Sequence, residues 1–144
     1  MSVFTPTEIE FLSDAKLARL ATAGADGQPH ISPVTFRLND DGTIDIGGGW
    51  GFAKRKKWRD MQANPAVAIA VDDVLPPWRP RCIEVRGVVE FFYEGGKAHL
   101  GDGYDEEWVR IHPHRIISFG IADGGGNRDA ANEPGRGTTP ARRG

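Results

Sequence analysis

Residues 81–93 read Arg-Cys-Ile-Glu-Val-Arg-Gly-Val-Val-Glu-Phe-Phe-Tyr, with Ile83, Val85, Val89, Phe91 and Tyr93 on one phase and Glu84, Arg86, Glu90 and Phe92 on the other. A period of two places each set on its own face of a β-strand. Gly87 interrupts the inner row, as at a sharp bend or a barrel corner. Shorter runs before and after this strand follow the same period, and they limit the chain to a mainly β fold.

Thr5-Pro6-Thr7-Glu8 starts a helix: Thr5 caps, Pro6 fits the first turn and Glu8 closes the capping box. A strand over 17–23 turns at Gly24-Ala25-Asp26-Gly27 into a return strand over 28–38. His30, Ser32, Val34, Phe36 and Leu38 share one side of it, and Ile31, Pro33, Thr35 and Arg37 the other. Pro29 and Pro33 each remove a ladder donor, which argues for an edge or a bulge beside a ligand. Asn39-Asp40-Asp41-Gly42 turns the chain into a strand over 43–47. The pattern then predicts a helix over 52–63, stopped by Pro65, and a strand over 66–71. A loop over 72–79, the strand over 81–93, an ambiguous stretch over 97–111 and a last strand over 115–121 follow.

The sum is six strands and one substantial helix, without the repeated strand–helix units of a Rossmann domain. The expectation is mainly β with minor α: a six-stranded antiparallel split barrel. The 144 residues fit one domain, placed over 1–122. Residues 123–144 hold six Gly, two Pro and no aromatic, and are expected to form a disordered tail. A single Cys, Cys82, excludes an internal disulfide and any multi-Cys metal site. With no signal-type start and no apolar run long enough to span a bilayer, the expectation is a cytoplasmic protein away from the membrane.

Function is concentrated in 53–65. Lys54, Arg55, Lys56, Lys57 and Arg59 are five cations within six positions, after Gly47-Gly48-Gly49-Trp50-Gly51. The whole chain carries 20 acidic against 18 basic residues, so this is a local patch and general nucleic-acid binding is disfavoured. A basic helix entered from a glycine turn points to a phosphate or carboxylate ligand. A solvated charged face is the plainer reading of such a run.

Four blocks resemble the pyridoxamine 5'-phosphate oxidase-like split-barrel family. They are 16–37 (Lys-Leu-Ala-Arg-Leu to Val-Thr-Phe-Arg), 56–73 (Lys-Lys-Trp-Arg-Asp to Val-Asp-Asp), 83–90 and 111–120. The match covers 4–121 and is most similar to the branch dependent on coenzyme F420, a deazaflavin. The resemblance implies a homodimer with shared cofactor sites, in an FMN-binding type of split barrel, with F420 as cofactor and FMN as the alternative. It implies that Arg55, Lys57 and Arg59 contact the cofactor phosphate. It also implies that the strand of Ser32, Pro33, Val34 and Thr35 borders the ring. Gly49 and Trp50 lie at the glycine turn, Trp58 either flanks the cofactor or packs in the core, and Trp78 sits in a loop that covers the ring or reaches a partner subunit. Only Arg115 stands where the oxidase proper has a basic substrate site, which argues against vitamin B6 oxidation.

His30 reads as a contact residue rather than a base, no catalytic side chain is assigned, and no metal is expected. The implied activity is an F420-dependent reduction of a small organic substrate. The extra cations Lys54 and Lys56 suit the acidic tail of F420. The alternatives are an FMN-dependent oxidoreductase of the same fold, and a non-catalytic flavin or F420 carrier or haem-binding protein.

Overall fold

A computed structural model of the chain describes residues 2–130. Helix α1 (Pro6–Asp14) opens with the expected capping box: the Glu8 amide donates to Thr5 Oγ1 at 3.3 Å, and the Thr5 amide donates to Glu8 Oε1 at 2.9 Å. The strands are β1 (Ala18–Ala23), β2 (Pro29–Val34), β3 (Arg37–Leu38), β4 (Ile44–Gly47), β5 (Ala66–Leu75), β6 (Arg79–Phe92), β7 (Trp108–Phe119) and β8 (Arg128–Asp129). They form one antiparallel sheet in the order β2-β1-β5-β6-β7-β4-β3, with β8 on β7, curled into an open half-barrel. Six strands have four residues or more, as expected, and β8 is a two-residue addition; the return strand expected over 28–38 is broken after Val34, and its last piece, β3, pairs with β4 instead of β1.

The long strands β5, β6 and β7 form the middle of the sheet. Leu20, Ile44, Ile46, Ile69, Ile83, Val85, Val109, Ile111 and Ile116 fill its concave side. The β6–β7 register shifts between Arg86 and Gly87, where Arg86 faces Arg115 and Gly87 faces Pro113. A Cβ at Gly87 would collide with the His112 carbonyl oxygen, so the bend needs glycine.

Four further expectations are corrected. The helix over 52–63 is broken: a 3-10 turn (Phe52–Lys54) ends at an extended Arg55 (φ −82°, ψ 157°), and α2 (Lys56–Ala63) starts after it. Residues 72–75 are strand, paired with 79–82, and only 76–78 turn; the Arg81–Asp73 ion pair at 2.6 Å ties the arm. The last strand begins at Trp108, after a short helix α3 (Gly96–Leu100). The first residues of the expected tail return to the sheet as β8, where Ala130 is buried. The remainder, 131–144, lies outside the described residues.

Candidate functional site

The chain leaves β4 through the glycine turn. The Asp105 carboxylate receives two consecutive amides from that turn, Gly51 at 2.8 Å and Phe52 at 2.7 Å, and the Asp105 amide donates to the Gly48 carbonyl at 2.8 Å. The Phe52 bond above all, opposed by burial and aided by the Gly51 bond, holds the Asp105 carboxyl below its usual range. Trp50 adopts φ 55° and Gly51 φ 91°, and the Trp50 side chain is 95% exposed. The glycines are required mainly by the protein itself. A Cβ at Gly49 would stand 2.8 Å from the Gly103 carbonyl oxygen, and one at Gly48 would meet the Phe52 ring.

The cations beyond the turn divide into two groups. Lys56 Nζ sits 2.9 and 3.1 Å from the carboxylate oxygens of the buried Asp60, which also accepts from Thr22 Oγ1 at 3.0 Å. That charge is neutralised, and it pins α2 to β1. Arg59 folds back and donates to the Lys54 carbonyl at 2.6 Å. Arg55 and Lys57, like Lys54 and Arg59, have no carboxylate in ion-pair range among the described residues, though Arg55 lies near enough to Asp105 to help lower its pKa. Arg55 is exposed and Lys57 half-buried. Burial, with Arg55 adding to it, lowers the pKa of Lys57. No acid occupies the first turn of α2, so its leading N–H groups and these two cations present one positive surface.

Trp58 is not part of that surface. It is 3% exposed and meets Phe52, Phe91 and Tyr93 edge-on, with ring centroids 5.3, 5.2 and 6.0 Å away. Its place on the same side of α2 as Met61 makes it core, which removes it from the candidate cofactor contacts.

Strand β2 is one edge of the sheet, so its prolines withhold no donor from an outer neighbour. Ser32 and Val34 turn inward, while Pro33 and Thr35 are exposed. Val34 is packed in the core. The Ser32 hydroxyl is buried with no hydrogen-bond partner among the described residues, the kind of orphan that a polar ligand edge satisfies. The Thr35 hydroxyl lies 2.9 Å from the Tyr104 hydroxyl. His30 faces Thr22 across the β1–β2 ladder, beside the Asp60 cluster. Trp78 stands at the tip of the β5–β6 arm, 76% exposed, without a ring contact to the other site residues among those described. Sequence reasoning missed Asp60, Tyr104 and Asp105. The last two lie in Gly-Asp-Gly-Tyr-Asp, which on its own reads as a generic turn.

Comparison with known proteins places this geometry in context. The model of the pyridoxamine 5'-phosphate oxidase family matches residues 4–124. The chain is 38% identical over 121 residues to the 5a,11a-dehydrotetracycline/5a,11a-dehydrooxytetracycline reductase of Streptomyces rimosus subsp. rimosus, covering 82% of this chain and 84% of that protein. A solved F420 reductase superposes with a TM-score of 0.58 at 25% identity, over 75% of this chain and 94% of its own. A conserved hypothetical protein of Mycobacterium tuberculosis does so with a TM-score of 0.65 at 23% identity, over 82% and 86%.

Proposed function

The chain belongs to the pyridoxamine 5'-phosphate oxidase family, and on that premise we propose that it is a reductase with a flavin-type cofactor, a flavin or a deazaflavin. Its substrate is a small organic molecule with an electron-poor double bond. The observation that carries the reading is the start of α2, where Arg55 and Lys57 have no carboxylate in ion-pair range among the described residues and no acid stands in the first turn. The orphaned Ser32 hydroxyl on the edge strand fits the same class of ligand.

Arg55 offers a planar fork and Lys57 a point charge to a ribityl phosphate, beside the free amides of α2. Arg59 supports the turn through the Lys54 carbonyl. Ser32 and the backbone of 33–35 meet the polar edge of the ring. Trp50 and Trp78 present flat apolar surface for the ring or substrate. The reduced cofactor, when bound, supplies hydride. The protein's part is to bind, orient and shield, so solvent serves as the proton source and no dedicated acid is assigned. The reductase relative at 38% identity supports a polycyclic enone as the substrate class.

Two cofactors fit this class. FMN requires only the phosphate site and the ring edge. F420 adds an acidic tail; likeness to an F420 reductase supports it. Of the two cations that suited that tail, Lys56 is engaged by Asp60, which leaves the exposed Lys54. We further propose a homodimer in which the exposed apolar residues Val74, Trp78 and Phe119 meet a second copy and complete two shared sites. Parallel fluorescence titration of pure protein with FMN and F420 tests the whole reading, with tight binding of one expected. Absence of binding by both ends it. A sedimenting species that stays monomeric while binding at full affinity removes the shared site alone.

A further inference from the structure

The stretch between α3 and β7 had no role in the sequence reading, yet it touches the proposed site at both ends. It is anchored first on β4. The buried Asp45 carboxylate takes Arg110 in a two-point pair at 2.8 and 3.1 Å, and His99 Nε2 lies 2.7 Å from it. Arg37 of β3 donates to the His99 carbonyl at 2.9 Å. From that base the loop reaches in two directions. Tyr104 meets Thr35 beside the ring-bordering residues at 2.9 Å. Asp105 gathers the Gly51 and Phe52 amides, four and three residues before Arg55.

We propose that Asp105 and Tyr104 are positioning residues that set the spacing between the phosphate end and the ring end of the cofactor site. The proposal rests on the flavin-type reading above. One carboxylate bonded to two successive amides fixes the orientation of the turn they belong to. That turn contains Trp50 at a positive φ, which a residue with a Cβ keeps only under outside restraint. The turn in turn leads into the extended Arg55 and the first amides of α2. Asp105 therefore governs where the phosphate contacts stand. Tyr104 acts at the other end, where its bond to Thr35 holds the exit of β2 against the same loop. The Gly103 carbonyl against Gly49 closes the contact between loop and turn.

The test uses Asp105→Asn and Tyr104→Phe in the full chain. Dissociation constants are measured for FMN against riboflavin, and for F420 against its dephosphorylated deazariboflavin core, using the pair the wild type binds. Asp105→Asn is expected to weaken the phosphorylated ligand by about tenfold and its dephosphorylated partner by less than about twofold. Tyr104→Phe is expected to weaken both by the same factor, about threefold. Thermal melting checks folding, and Asp105→Glu replaces Asp105→Asn if the latter fails to fold. A merely structural Asp105 would lower both affinities equally, and that result overturns the proposal while leaving the flavin reading intact. A wild type that binds neither pair, or does not prefer the phosphorylated member, overturns the flavin reading and the positioning role with it.

Discussion

Two regions of this protein concentrate charge and use it in opposite ways. Between α1 and the segment around β8, Glu8 is 0% exposed, and its carboxylate accepts from the Thr5 and Gly125 amides and from both terminal nitrogens of Arg128, the closest at 2.6 Å. Arg128 also donates to the Val3 carbonyl at 2.8 Å. Burial pushes the Glu8 pKa up, and Arg128 with the backbone amides more than reverses this, to about 2. At the β4–α2 turn, Arg55 and Lys57 have no carboxylate in ion-pair range among the described residues, and no acid stands in the first turn of α2. Satisfied charge joins distant segments into a fold. Charge left without an ion-pair partner is available to an anionic ligand. Lys56, inside the same basic run, belongs with the first kind because Asp60 neutralises it.

The largest expected effect tests the unpaired side of this contrast. Arg55→Ala with Lys57→Ala should weaken the phosphorylated cofactor by about two to four powers of ten, since each charge-assisted bond contributes about 1.5–3 kcal/mol. Melting temperature should stay within about 2 °C of wild type, as surface substitutions move stability little. Equal affinity of the native protein for phosphorylated and dephosphorylated ligands would break the comparison.

The paired side should respond in stability and not in binding preference. Glu8→Gln leaves Arg128 without its counter-charge and should cost about 3 kcal/mol, or on the order of 10 °C in melting temperature. Because folding depresses the Glu8 pKa from 4.5 to about 2, its contribution is complete above pH 4.5 and is lost as pH falls towards 2. Urea titrations across that window should show a loss of stability that Glu8→Gln flattens. An unchanged pH profile in the variant would mean that the clasp does not hold α1 to the segment around β8.

The smallest effect separates the two kinds of cation within one helix. Lys56→Met should alter cofactor affinity by less than about threefold, because its charge is already spent on Asp60. A loss matching that of Lys57→Met would place Lys56 in the ligand site and erase the distinction.

Much of the fold was legible because it rests on local patterns. The capping box at Thr5 and Glu8, the bend at Gly87 and the edge character of the strand with Pro29 and Pro33 each follow from chemistry within a few residues. The errors arose where a distant partner overrode a local signal. Asp72-Asp73 beside two prolines reads as a loop, but ladder pairing and the Arg81–Asp73 ion pair make it strand. His112-Pro113-His114 hides the early half of β7, where Pro113 stands opposite Gly87 at the bulge. Glycines 124–126 read as tail until Glu8 and Arg128 draw the segment in. The helix over 52–63 looked continuous because its residues favour helix; the Asp105 clamp on Gly51 and Phe52 and the extended Arg55 divide it.

The sequence by itself determined the strand period, the helix cap and the position of the basic run. These depend on alternation and turn chemistry between near neighbours, which any chain with this order of residues carries with it. Tertiary structure decided which member of that run is neutralised. Asp60 reaches Thr22 across 38 positions, Asp105 reaches Gly51 across 54, and Arg128 reaches Glu8 across 120. Whether a charge is neutralised or left for a ligand is settled by what stands within about 4 Å of it, and that distance is set only when the sheet has curled and brought those segments together.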